Sequence, residues 1–176
     1  MWNTLARMLH TGVLTEPLPA QDQTPRAVES MHRDLLEILG RALCIRHVDA
    51  GSCNGCELEI QALNNPYYNL EGAGIRFVAS PRHADLLLVT GPVSVNMEEA
   101  LQRTYDAVPD PKFVVAVGDC GACGGVFGTS YASRGGVANI IPVNCVVNGC
   151  PPSPAAILRG ILQVVRTSSP VAAGRD

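Results

Sequence analysis

Short aliphatic runs alternate with helix-forming segments through most of this chain. Residues 44–48, 75–79, 86–89, 113–117 and 140–143 are brief stretches rich in Val, Ile and Leu, each bounded by Gly, Pro, Asp or Asn, which predicts five strands. Between and after them, residues 57–64, 96–107 and 154–165 carry helix-forming content. Strands that alternate with helices predict an α/β fold, a parallel sheet with helices on both faces. In such sheets ligands bind where loops leave the carboxyl ends of the strands. Cys53 follows the first predicted strand, Cys120 comes just after Val117, and Cys150 follows the last strand region.

Upstream the pattern differs. Over 28–43 the residues Met31, Leu35, Leu36, Ile38, Leu39 and Leu43 recur at near-helical spacing among charges, with Gly40 near the end. This predicts an amphipathic helix whose apolar stripe packs on its own domain or on another subunit. Residues 11–24 contain Pro17 and Pro19 in a polar stretch and read as an extended arm. The expected organisation is an N-terminal arm over 1–27 and one domain over 28–176, without internal repeats.

Composition narrows the function classes. The 176 residues are 47% hydrophobic, enough for one ordinary packed domain. A net charge of -3 and the lack of any Lys or Arg run argue against nucleic-acid binding. The longest apolar stretches are strand-length, far below the roughly 20 residues of a membrane span, so this subunit is not expected to cross a bilayer. Residues 1–10 have no continuous apolar core and do not read as a secretory signal. A cytoplasmic location is the expectation, and there the seven cysteines are expected as ligands or free thiols rather than disulfides.

Cys53-Asn54-Gly55-Cys56 puts two thiols within one turn, and Cys120-Gly121-Ala122-Cys123 repeats that spacing. A C-x-x-C pair can be half of a zinc site, a redox dithiol or half of an iron-sulfur site. Between Cys56 and Cys120 lie 63 residues, whereas paired zinc motifs are separated by roughly 15 to 20. Cys53, Cys56, Cys120 and Cys150 together supply the four thiolates of a cubane cluster, in glycine- and proline-punctuated segments. On residue chemistry alone the iron-sulfur reading leads and zinc stays open. The glycines over 118–128 fit neither nucleotide fingerprint, and no Lys-Ser/Thr pair follows them. From Gly118 to Leu158 only Asp119 and Arg134 are charged, which suggests a surface covered by a partner.

Three separated motifs carry a resemblance: Gly51-Ser52-Cys53-Asn54-Gly55-Cys56-Glu57-Leu58-Glu59-Ile60, then Gly118-Asp119-Cys120 with Gly124-Gly125-Val126-Phe127, then Gly149-Cys150-Pro151-Pro152-Ser153-Pro154. In this order they resemble the small subunit of nickel-iron hydrogenases. More narrowly, the chain looks like the short small subunit of the membrane-bound, energy-converting (group 4) enzymes, which is related to the proximal-cluster subunit of respiratory complex I. The resemblance implies a flavodoxin-like fold holding one 4Fe-4S cluster, with Cys53, Cys56, Cys120 and Cys150 as its ligands. It also implies three kinds of partner: a hydrogenase large subunit with a nickel-iron site, a ferredoxin-like iron-sulfur subunit, and integral membrane subunits. The implied role is an electron relay on the cytoplasmic side of the membrane, in a peripheral position.

Departures from the family pattern sharpen these expectations. Longer hydrogenase small subunits carry two further clusters in a C-terminal extension, and this sequence ends soon after Val165, so a single cluster is expected. The complex I subunit has adjacent cysteines in its first motif, whereas two residues stand between Cys53 and Cys56, which favours the hydrogenase branch over the alternative, a quinone-reducing complex. Cys44, Cys123 and Cys145 fall outside the ligand pattern: Cys44 and Cys145 are expected as inert thiols, and Cys123 as a sulfur near the cluster. Glu57 and Glu59 read as first-turn helix residues, where the dipole favours acids, and the resemblance leaves open a part in proton movement for Glu59. His47 and Asp49 read as structural.

Overall fold

The computed structural model describes residues 40–167, so the arm and nearly all of the helix expected over 28–43 lie outside the described residues. Leu43, the expected last residue of that helix, instead begins a strand. The strands are β1 (Leu43–Asp49), β2 (Ile75–Phe77), β3 (Leu86–Thr90), β4 (Phe113–Val117) and β5 (Cys145–Val147). The helices are α1 (Gly55–Ala62), α2 (Val95–Ala107), α3 (Gly118–Cys123) and α4 (Pro154–Thr167), with 3-10 turns at Pro81–His83 and Val137–Asn139. All five strands pair parallel in the order β2-β1-β3-β4-β5. This is the flavodoxin-like order, whose direction of winding reverses between β1 and β3.

Side chains of the central strands split by a period of two into two cores. Leu86 and Leu88 of β3 and Val115 and Val117 of β4 pack with Ile60 of α1 and Ile157, Ile161 and Val165 of α4. Leu87 and Val89 of β3 and Val114 and Ala116 of β4 face the other way, onto Leu101 of α2, Val137 and Ile141. Every residue of β3 is buried, which is why that strand reads as an unbroken apolar run instead of an alternating one. The helices therefore cover both faces, as the alternation predicts. Among the described residues no helix is long and apolar enough to cross a membrane.

Two elements differ from the expected pattern. The fifth strand is not 140–143 but Cys145–Val147, paired as Val115↔Cys145 and Val117↔Val147. Ile140 and Ile141 instead close the preceding turn, their N–H groups donating to the carbonyl of Val137 at 3.0 and 3.1 Å, and their side chains feed the α2-side core. Pro142 has no N–H to give a ladder, so pairing starts only after Asn144, whose own N–H and side-chain oxygen bond to Val114. The second difference is α3, one helical turn built from Gly118-Asp119-Cys120-Gly121-Ala122-Cys123, a segment whose glycines read as loop. Gly124, left-handed at φ +93°, ends it.

Helix α4 lies close on β5 because position 160 has no side chain: a Cβ there would stand 2.3 Å from Cγ2 of Val147. Gly160→Ala is expected to lower stability by about 1–3 kcal/mol through overpacking, outweighing a helix-propensity gain of about 1 kcal/mol. Adding Val147→Ala should recover part of the loss. Equilibrium denaturation of the single and double variants checks this, and an unchanged midpoint in Gly160→Ala would show that α4 and β5 separate at no cost.

Candidate metal centre

The connection leaving β1 is shaped by Asp49, whose Oδ1 accepts the N–H groups of both Gly51 and Ser52 at 2.8 Å. The chain then turns through Asn54, left-handed at φ 71°, into α1. Cys53 is thereby left exposed before the helix, and Cys56 sits half-buried in its first turn. The Cys56 thiol lies over the end of β4, its Sγ 4.0 Å from the carbonyl oxygen of Val117.

Gly118 makes room for that thiol. Its φ of +83° turns the chain out of β4 into α3, and a Cβ at this position would stand 2.7 Å from the Cys56 Sγ. Cys120 follows within α3, half-buried. Gly125 passes over it at φ +55°, where a Cβ would stand 2.8 Å from the Cys120 Sγ. The third connection, after β5, is tied to the second by two hydrogen bonds: the Asp119 N–H donates to the Gly149 carbonyl at 2.9 Å, and the Gly149 N–H donates to Asp119 Oδ1 at 2.8 Å. Cys150 is the next residue along, and it is exposed.

The four thiols singled out from the sequence are neighbours. Burial raises the Cys56 thiol to about 11, and Glu57 and the thiols of Cys120, Cys53 and Cys150 add to the shift. Cys120 is raised by burial first, then by Cys150 and Cys53. Among the described residues no three His, Cys, Asp or Glu side chains converge closely enough to hold a single metal ion. Within the four-thiol donor set Cys56 and Cys120 hold their protons because of burial first and of the neighbouring acid and thiols second, and positive metal at the sulfurs would displace those protons. The side-chain-free positions at Gly118 and Gly125 fit the same demand for room around sulfur.

The other cysteines divide by position. Cys123 is exposed on α3 and acts on the Cys120 thiol, though least among its neighbours. Its Sγ stands 3.4 Å from the Asp119 carbonyl. Cys44 and Cys145 lie at the amino-terminal ends of β1 and β5, away from the edge where the four-thiol group sits.

Sequence reasoning placed Glu57 in the first turn of α1, where it stands, but missed its burial. Both carboxylate oxygens are buried without a hydrogen-bond partner, and the nearest cation former is His47, with Nε2 3.8 Å from Oε1. His47 Nε2 also lies 3.0 Å from the hydroxyl of the fully buried Thr90. Burial pushes the His47 imidazole below its usual value, against the opposing pull of Glu57 and Asp49. Nothing in the local pattern announced this pairing, because His47 and Glu57 meet only when α1 packs on the face of β1. The Asp119–Gly149 contact was missed for the same reason.

Beside the centre the chain presents apolar side chains to solvent: Val126 is 96% exposed, Phe127 61% and Tyr131 99%. Tyr131 tips a turn held by the Ser130 N–H donating to the Ser133 carbonyl at 2.8 Å and by Ser133 Oγ bonding the Gly128 carbonyl at 2.9 Å. The two charged residues of this region are engaged internally, Asp119 with Gly149 and Arg134 with Glu98 at 2.7 Å. The low-charge surface expected over 118–158 is thus present, with an apolar rim.

Compared with known proteins, the sequence matches the family described as NADH ubiquinone oxidoreductase, 20 Kd subunit, over residues 53–164. It is 44% identical over 137 residues to the probable membrane-bound hydrogenase subunit mbhJ of Pyrococcus furiosus, with 78% of this chain and 82% of that protein covered. It is 42% identical over 143 residues to formate hydrogenlyase subunit 7 of Escherichia coli, covering 81% of this chain but only 56% of that longer protein. Among solved structures, a chain of the membrane-bound sulfane sulfur reductase, an archaeal respiratory membrane complex, aligns with a TM-score of 0.62 at 32% identity, covering 73% of this chain and 72% of that one.

In the metal-free chain, iodoacetamide should label the exposed Cys53, Cys123 and Cys150 before Cys56, since the thiolate is the reacting form and Cys56 releases its proton only near about pH 11. Labelling at Cys56 should therefore keep rising up to that pH. Peptide mapping by mass spectrometry reads the order, and early labelling of Cys56 near neutral pH would contradict its burial over β4.

Proposed function

We propose that this chain, which belongs to the NADH ubiquinone oxidoreductase 20 Kd subunit family, is the electron-transfer subunit of a membrane-bound nickel-iron hydrogenase complex. In this reading Cys53, Cys56, Cys120 and Cys150 hold one 4Fe-4S cluster. The observation that carries it is the meeting of four thiols from three connections at the carboxyl edge of one parallel sheet, inside the region matched to the family. Its relatives are subunits of oxidoreductase complexes, and the hydrogenase branch is favoured by 44% identity over 82% of the Pyrococcus furiosus subunit.

The cluster, when bound, supplies a one-electron relay whose potential responds to burial and to hydrogen bonds at sulfur. The chain's own residues do the rest. Asp49 and Asp119 fix the loops that carry the cysteines, Gly118 and Gly125 leave the space that the Cys56 and Cys120 sulfurs need, and the two packed cores hold the sheet edge rigid. Electrons pass between a ferredoxin-like subunit and the nickel-iron site of the large subunit, and hydrogen chemistry takes place on that partner.

Val126, Phe127 and Tyr131 form the rim that a large partner covers, since a rigid apolar surface beside a redox centre brings the partner's centre close while excluding water. Membrane attachment comes through partner subunits, with this chain peripheral on the cytoplasmic side. The family's own description supports a second reading, a quinone-reducing complex of the complex I kind. Nickel in the co-purified large subunit decides between the two.

Replacing any one of Cys53, Cys56, Cys120 or Cys150 by Ala is expected to abolish the cubane electron paramagnetic resonance signal of this subunit, while Cys44→Ala and Cys145→Ala leave it intact. A signal that survives Cys120→Ala but vanishes in Cys123→Ala would reassign the third ligand. Separately, Phe127→Asp and Tyr131→Asp should each weaken capture of the large subunit by about 2 kcal/mol or more, with the signal retained. Undiminished co-purification of both variants would move the interface elsewhere.

A further inference from the structure

We propose that Asp119 is a positioning residue that locks the Cys150 connection against α3, and that iron retention depends on where its side-chain oxygen stands rather than on its charge. This rests on the reading of Cys53, Cys56, Cys120 and Cys150 as iron ligands. Cys120 and Cys150 arrive on separate connections, after β4 and after β5, and the paired register of those strands runs out at Val117↔Val147. Advancing two residues on each strand reaches Asp119 and Gly149, which exchange the two hydrogen bonds of 2.9 and 2.8 Å. The turn at Gly118 has by then taken the main chain of β4 into α3. The carboxylate therefore supplies the acceptor that a strand carbonyl would otherwise have offered, and the ladder gains one more rung.

That rung bears directly on the ligands. Cys120 is the residue after Asp119 and Cys150 the residue after Gly149, so the clamp sets the spacing of two sulfurs through a single residue on each side. Gly149 stands at φ +138° with Pro152 packed against it, so the connection cannot be held by a side chain of its own at that position. The backbone bond from the Asp119 N–H survives any substitution. The bond to the Gly149 N–H requires an acceptor of aspartate length.

Three variants of the assembled complex separate position from charge. Asp119→Asn keeps an oxygen at the same reach and removes the charge; Asp119→Glu keeps the charge and carries it one methylene too far; Asp119→Ala removes the acceptor without adding bulk. The readouts are iron per chain and the rate at which the reduced complex gives up iron to a ferrous chelator. Asp119→Asn is expected to match the unsubstituted complex, and Asp119→Glu and Asp119→Ala to release iron about 10-fold faster or more. Loss in Asp119→Asn with retention in Asp119→Glu would show that charge governs, and retention in all three, or loss in all three, would equally overturn the proposal. An unsubstituted complex without iron on this chain would instead overturn the functional reading itself.

Discussion

Because β1, β3, β4 and β5 run the same way, the connections that follow β1, β4 and β5 leave the sheet at one edge, and sulfurs from positions 53, 56, 120 and 150 can meet there. An antiparallel strand in place of β4 or β5 would deliver its cysteine to the opposite edge, a full strand length away. The parallel arrangement is in turn held by burial. Parallel pairing needs a covering layer on each face, and the split of Leu86 and Leu88 from Leu87 and Val89 provides an apolar seat for α1 and α4 on one side and for α2 on the other. Each such buried aliphatic side chain contributes about 1.5–3 kcal/mol, so the sheet edge is a stiff support for loops that have little core of their own.

Much of this was legible in the sequence, for reasons particular to certain residues. Phe113–Val117 was found at its true limits because a five-residue apolar run, preceded by Pro111 and Lys112 and followed by Gly118, has no competing period. The strand at 140–143 was misplaced because Ile140, Ile141 and Val143 are apolar for the sake of the α2-side core and not for pairing, while the real strand, Cys145–Val147, is only three residues long. Helix α3 was hidden because its two glycines argue locally for loop, and it forms only where Gly118 and Gly124 bracket a single turn. The four cysteines stood out by spacing and motif. The residues that arrange them did not, because Asp119 meets Gly149 and His47 meets Glu57 across chain separations that no local pattern encodes.

The site combines three environments that serve one task. Aspartates at the carboxyl ends of β1 and beyond β4 hold the loops by accepting backbone N–H groups. Cys56 and Cys120, half-covered by the sheet end, are disfavoured as bare thiolates, so a positively charged metal would offset the cost of ionising them. Around them, glycines and an apolar rim leave a surface almost without free charge, with Arg134 drawn back to Glu98. A relay subunit needs this division: rigid ligands on one side, and on the other a face that a partner covers.

The claim that these four thiols form one multi-iron centre is tested most directly by Mössbauer spectroscopy of the iron-57-labelled complex, combined with iron, sulfide and zinc analysis assigned to this chain. The account predicts four irons and four sulfides on it, in the delocalised state of a cubane, with the signal responding to dithionite. One zinc ion held by the same cysteines, with no iron and no response to reductant, would contradict it.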